Sequence, residues 1–216
     1  MLHQQQRLQW SIDHLNFTVN DWGNIIYSDE STFTITRQHR QYVRRYAGER
    51  YRENCLSKST NKAIASINVW GGFSQHGHTD LIRLPDRMKS NDYVNVLENH
   101  VLNSLDTLLS NGGFLLHDNS PVHKALRVTE WLNNHNIHAL PWPSCSPDMN
   151  VIENVWGYLE NNVQKDGVNN SDDLFHRYSF CWQNCLRTVQ KRMKYISSMT
   201  NRVRLLNNNN GSYTKY

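Results

Sequence analysis

The chain has 216 residues, 38% of them apolar and 11% aromatic, with a formal net charge of +4 and a pI near 8.9. That length can bury one sizeable core, and seven Trp, ten Tyr and six Phe with only five Pro exclude a disordered chain. No run of ~18 apolar residues offers a membrane span, MLHQQQRLQW lacks the apolar core of a secretory leader, and cysteines at 55, 145, 181 and 185 form no CxxC pair for a zinc ribbon or disulfide framework. Reduced thiols fit a cytosolic or nuclear protein.

Residues 4–16 place Leu8, Ile12 and Leu15 on one face, which predicts a first helix. In NIIYSDE, Ile25, Ile26 and Tyr27 make a short apolar strand ending in Ser28 and Asp29. STFTITR, β-branched and alternating, predicts a neighbouring strand. Residues 37–62 are polar and carry Arg37, Arg40, Arg44, Arg45, Arg50 and Arg52; they read as an inserted basic loop or hairpin excursion. AIASINVWGGFS predicts a strand closed by Gly71 and Gly72, as a bulge or a close approach, and TDLIRL at 79–84 a further short one. From Ser90, as N-cap, a helix is expected through Tyr93, Val94, Leu97, Val101, Leu102 and Leu105.

GFLLHD repeats the earlier shape, an apolar strand and then Asp118. Pro121 is expected to open a helix through Val122, Ala125, Leu126, Val128, Trp131 and Leu132, followed by a short strand in IHALPW. In the Pro-rich stretch that follows, Ser146 is the expected N-cap of a helix, with Pro147 in its first turn and Asp148 complementing the dipole. Ile152, Val155, Trp156, Leu159 and Val163 form its stripe; at about 100° per residue Glu153 lies on the rim of that stripe. A last helix over 171–196, with Cys181 and Cys185 on its core side, precedes a polar tail at 207–216. With no repeat and no second core, the order predicts an α/β fold: one mixed central sheet flanked by helices, antiparallel in its first strands and parallel after the crossovers.

Two strands thus end in aspartate, Asp29 and Asp118, and a glutamate, Glu153, rides a following helix. Sites in open α/β sheets form outside the carboxyl ends of strands. Three carboxylates brought together there would hold protons unless cations intervened, and hard oxygen ligands suit Mg²⁺ or Mn²⁺. Spacing alone leaves the alternative open that the aspartates are turn formers, since Asp118-Asn119-Ser120-Pro121 is good turn chemistry.

The local sequences add to this. SDEST at 28–32, VWGGFS at 69–74, HDNSPVHKA at 117–125 and WPSCSPDMNVIENVW at 142–156 resemble the Tc/mariner superfamily of DNA transposases, as do RLQWSIDHLNFTVNDW, YVRRYAGERY and the final GSYTKY. The resemblance is collinear from about Arg7 to Tyr216, and thirty-four residues between Asp118 and Glu153, with glutamate third, resemble the Tc branch. It implies an RNase H-like fold with a helical lead-in at 1–22 and a catalytic domain over 23–216. It further implies a DDE site in which Asp29, Asp118 and Glu153 bind two Mg²⁺ or Mn²⁺. The implied reaction is hydrolytic cutting at transposon ends, then attack of the freed 3′-hydroxyl on target DNA, by a nuclear homodimer. The chain begins just before the catalytic domain, so the family's N-terminal helix-turn-helix modules are expected to be absent. Leu116 and His117 replace the usual glutamines, Met149 a leucine and Val151 a proline. Two other readings stay open: an idle truncated or domesticated remnant that binds DNA or dimerises with full-length transposase, and a stand-alone RNase H-like nuclease.

Competing residues have blander readings. Glu30 adjoins Asp29, yet strand alternation puts it on the opposite face. Asp148 suits helix capping better than metal binding. His123, near the cleft, suits a structural or DNA-contacting role, and Asn119 beside Asp118 is a further candidate for DNA contact. His76 and His78 lack partners at zinc spacing. Within the basic loop, Arg44, Arg45 and Arg52, interleaved with tyrosines, are candidates for DNA or dimer contacts. The basic residues Arg187, Lys191, Arg192, Lys194, Arg202 and Arg204 read as a solvated helix face.

Overall fold

A strand whose first four residues, Ile25–Ser28, are all buried runs through the middle of the molecule and organises everything else. In the computed structural model, which describes residues 2–36, 63–109 and 113–216, β1 (Ile25–Thr36) pairs antiparallel with β2 (Ala63–Phe73) and parallel with β4 (Phe114–Leu116). β3 (Ile82–Leu84) extends the sheet antiparallel beyond β2, and β5 (His138–Ala139) extends it parallel beyond β4, in the order β3-β2-β1-β4-β5. The mixed sheet thus has the expected antiparallel and parallel halves. NIIYSDE and STFTITR are one continuous strand and not two neighbours: the antiparallel pairing with β2 runs from Tyr27 through Ser28–Ser31 to Ile35 without a shift. β2 likewise continues past Gly71 and Gly72 to Phe73, in unbroken register.

Side chains at alternating β1 positions point to opposite faces, and each face holds its own apolar cluster. Ile25 and Tyr27 pack with Val155, Trp156, Leu174, Trp182 and Val203. Ile26 packs on the other side with Trp70, Tyr93, Leu97, Leu115, Val128 and Leu132. One sheet thus separates two apolar clusters, one under the helices of each face.

The first face is covered by α6 (Ile152–Asn162), α7 (Ser171–Leu186), α8 (Val189–Ile196) and α9 (Met199–Asn208). The single helix expected over 171–196 is α7 and α8, broken where Thr188 caps α8 by accepting from the Lys191 amide. The Asn-rich segment after it begins inside α9. The second face is covered by α3 (Ser90–Val96), which Lys89 and not Ser90 precedes as N-cap, and which runs on through a π-helical turn at Leu97–Val101 and a 3₁₀ turn at Leu102–Ser104 into α4 (Leu105–Leu108). α5 joins it as Leu126–Asn134. It starts five residues after Pro121, since residues 121–125 form turns, and Leu126 is left exposed.

At the amino end, α1 (Leu2–Asp13) buries Arg7, Trp10 and Ser11, while Ile12 and Leu15, expected on its inner face, are exposed. A cluster of rings fixes this choice: Trp10 stacks on His14 and meets Trp22 and Trp142. α2 (Val19–Gly23) follows, closed by a reciprocal capping box between Thr18 and Asp21.

Candidate active site

β1, β4 and α6 bring the three acids to one cavity. Asp29 stands in β1 opposite Gly71, Asp118 follows the carboxyl end of β4, and Glu153 lies in the first turn of α6. All three line a cleft of about 340 Å³ together with Asn119, Ser120, Trp142, Pro143, Ser144 and Asn150. Parity explains the convergence: Asp29 shares its sheet face with Ile25 and Tyr27, and Asp118 with Leu116, on the side where α6 packs. Asn150 ties the start of α6 to the sheet, its side-chain amide donating to the Ser28 carbonyl at 3.4 Å and its oxygen accepting from the Ile152 amide. Gly71 permits the close stack of Trp156 on Trp182, rings 5.1 Å apart, because a Cβ there would lie 2.7 Å from the Trp182 ring.

The charges are not balanced. Burial pushes the Asp29 carboxyl up to about 8, and the nearby Glu30, Glu153 and Asp118 add repulsion that the Glu30 amide only partly offsets. Burial raises Glu153 as well, against a hydrogen bond with Asp29. Asp118 is held down, at about 2, mainly by the hydrogen bond from His123, with the Ser120 amide also donating to it. Surplus negative charge on hard oxygen donors fits a divalent cation, which would relieve the strain that protonation otherwise relieves. Among the described residues no three His, Cys, Asp or Glu side chains already close around a single point, so the acids line an open cavity and not a preformed cage.

The other candidates fall in different places. Glu30 faces away from the cleft, towards His123, as alternation requires. His123 is 3% exposed and faces the carboxylates of Asp118 and Glu30, in the structural part of its expected range. The Asn119 amide donates to the Trp142 carbonyl at 2.7 Å. Arg44, Arg45 and Arg52 lie outside the described residues. Helix capping by Asp148 is corrected: it receives a bidentate guanidinium bond from Arg7, both contacts 2.8 Å, and the Thr214 amide, while Ser146 makes no cap bond and Pro147–Met149 form a separate 3₁₀ turn. Two members of the supposed solvated basic face are buried. Arg192 donates to the carbonyls of Gln75, His76 and Leu186, and Arg202 to the Asp148 carbonyl and to Asn154. The sequence reading missed Arg7 altogether; its three-residue spacing from Trp10 was the available signal.

A family model described as DDE superfamily endonuclease matches residues 24–174, and the chain belongs to that family. The Tc1 transposase of Caenorhabditis elegans is 30% identical over 211 residues, 97% of this chain and 77% of the relative. The Tcb1 transposase of Caenorhabditis briggsae is 29% identical over 215 residues, 99% of this chain and 78% of the relative. Within the family this is a Tc/mariner transposase catalytic domain, as the sequence resemblance implied. The fold is RNase H-like. It matches the Mos1 mariner paired-end complex with Mn at a TM-score of 0.77 and 16% identity, covering 99% of this chain and 64% of that one. It also matches the Mos1 catalytic domain with Raltegravir and Mn at 0.73 and 15%, covering 99% and 96%. The chain spans about 63% of the length of the Mos1 chain solved as a paired-end complex with the left transposon end.

Proposed function

We propose that this domain cuts phosphodiester bonds at transposon ends and joins the freed 3′-hydroxyl to target DNA, using two Mg²⁺ or Mn²⁺ held by Asp29, Asp118 and Glu153. The observation that carries this is the convergence of three acids from β1, β4 and α6 on one cleft, with Asp29 pushed up to about 8. Solved Mos1 relatives are complexes with Mn and with Mg, which supports the choice of ions. Bound cations would supply Lewis-acid activation of water and then of the 3′-hydroxyl, and would stabilise the leaving oxygen.

The chain's own residues do the positioning. Asp118 is fixed by the His123 ring and the Ser120 amide. Glu153 is set by a helix whose first turn is tied to β1 through Asn150. Burial and the neighbouring acids favour the protonated form of Asp29, with its carboxyl pushed up to about 8, and a bound cation would take the place of that proton. DNA as partner, a homodimeric assembly and a nuclear site of action are part of the same proposal; Mos1 as a paired-end complex with a transposon end supports the first.

Nicking of supercoiled plasmid in Mn²⁺ or Mg²⁺ tests it. Glu153→Gln should lower the rate by more than the ~10–100-fold that loss of an outer partner costs a metal site. Equal rates in variant and parent would remove Glu153 from the site, and an inactive parent chain would favour the idle remnant.

A further inference from the structure

Behind the cleft, on the other face of the sheet, stands a closed polar group that the acids alone do not require. The His123 ring sits between two carboxylates: Nδ1 lies 2.7 Å from Asp118 Oδ1, and Nε2 lies 3.2 Å from Glu30 Oε1. The side chain is almost wholly enclosed, while that of Glu30 is about one quarter exposed. His117 stacks on His123 with the rings 4.8 Å apart and 5° from parallel, and the Tyr93 ring lies 4.2 Å away on a tilt. His117 is itself held by a 2.9 Å bond between its Nδ1 and the Tyr93 hydroxyl. The imidazole therefore has one available orientation.

We infer that Glu30 is a positioning residue, which through His123 fixes the rotation of the Asp118 carboxyl that the cleft presents. The inference rests on the three-acid reading above and deepens it. The Ser120 amide donates to the same Asp118 oxygen as His123, at 2.8 Å. Rotation of the carboxyl would break both bonds at once, which leaves its second oxygen with one direction. Glu30 is the side chain that holds the far nitrogen of the ring, adding to the His117 and Tyr93 ring contacts a bond directed along the line to Asp118. Second partners of this kind orient metal ligands, and their loss commonly costs ~10–100-fold in metal affinity. The adjacent pair Asp29-Glu30 thereby serves one site from both faces of a single strand.

The test compares the parent chain with Glu30→Ala and Glu30→Gln. Mn²⁺ affinity is measured by calorimetry or electron paramagnetic resonance on each protein, alongside the Mn²⁺ concentration for half-maximal plasmid nicking, the maximal rate, the melting temperature and the near-ultraviolet circular dichroism. Glu30→Ala should weaken Mn²⁺ binding about tenfold, and the half-maximal Mn²⁺ should rise by the same factor, more than the maximal rate falls. Glu30→Gln, whose amide oxygen still accepts from Nε2–H, should recover most of the affinity. A folded Glu30→Ala chain that binds Mn²⁺ within twofold of the parent overturns the inference and leaves the three-acid site standing, as does a Gln variant no better than Ala. A parent that binds no Mn²⁺ overturns the three-acid site and this inference with it.

Discussion

Asp29 is a carboxyl that the metal-free fold carries at a cost. Its folded pKa, about 8, lies above the ~3.9 of an unfolded aspartate, so the folded state keeps a proton that the unfolded state releases. Stability therefore falls on its account as pH climbs through that window. His123 acts in the same pH direction: burial opposes its charge, but the bonds to Asp118 and Glu30 overcome this and raise it to about 10. Its contribution is whole below ~6.5 and is lost as pH rises through about 10. Asp29→Asn should accordingly raise the melting temperature of metal-free protein at pH 8 by a few degrees, at ~2–4 °C per kcal/mol for a chain of this size. It should gain little at pH 4, and it should lose the rise in melting temperature that Mn²⁺ gives the parent by mass action. Thermal melts at both pH values with and without Mn²⁺ decide it; a variant less stable than the parent at pH 8 contradicts the account. The raised Asp29 and Glu153 were legible as a tendency, since three converging carboxylates must repel. The lowered Asp118 was not, because it depends on a histidine five residues away turning back onto it.

At the scale of elements, two glycines that look alike in sequence behave oppositely. Gly71 lies under the paired indoles of Trp156 and Trp182, where an added Cβ would come within 2.7 Å of Trp182. Gly157, in the middle of α6, has nothing within 4 Å of that position. Gly71→Ala should cost ~1–3 kcal/mol by overpacking, and Gly157→Ala should add ~0.5–1 kcal/mol from helix propensity. Urea midpoints measure both, and a neutral Gly71→Ala would show that the indole stack yields. The sequence signalled the close approach at Gly71 but not what approaches, because Trp182 lies more than a hundred residues on. The same limit explains the helix starts that shifted. Pro121 and Ser146 carry good start chemistry, yet His123 must turn back to Asp118 and Asp148 must reach Arg7, and these contacts hold both segments out of helix until Leu126 and Ile152. The strands were legible because their alternation is local, whereas helix faces are chosen by partners.

Across the whole molecule, both chain ends gather at one wall of the cleft. Arg7 of α1 binds Asp148 and the Gly211 carbonyl and lies 4.8 Å from the Tyr213 ring, the Thr214 amide donates to Asp148, and Arg202 of α9 lies 4.3 Å from the Tyr216 ring. Asp148 stands in the turn that carries Pro147 and Asn150 to the cavity. The Arg7 and Asp148 side chains are only 3% and 5% exposed, and removing one partner of a buried pair costs ~3–5 kcal/mol. Arg7→Ala should therefore lower the urea midpoint strongly, and Arg7→Met combined with Asp148→Leu should recover most of the loss, since no bare charge remains. A double variant no better than the single one would show that the bonds to Gly211 and Ser146 matter more than the pair. None of this was legible in sequence, where the segments lie some two hundred residues apart and the tail reads as polar.

The register of β1, unbroken from Tyr27 to Ile35, has a consequence for how such a chain can change. Its period of two assigns Asp29 to the cleft and Glu30 to the opposite layer by counting alone. Loss of one residue between Ile25 and Ser28 would bring Glu30 to the cleft position and Asp29 to that of Ser28 on the opposite face, whereas gain of one would turn Asp29 towards His123 and leave Ser28 at the cleft. Composition, charge and motif would all survive such a slip, and a reader scanning for three acids would still find them. The working state of the domain is thus a matter of parity, and conservative substitutions along 25–28 are far safer than indels there.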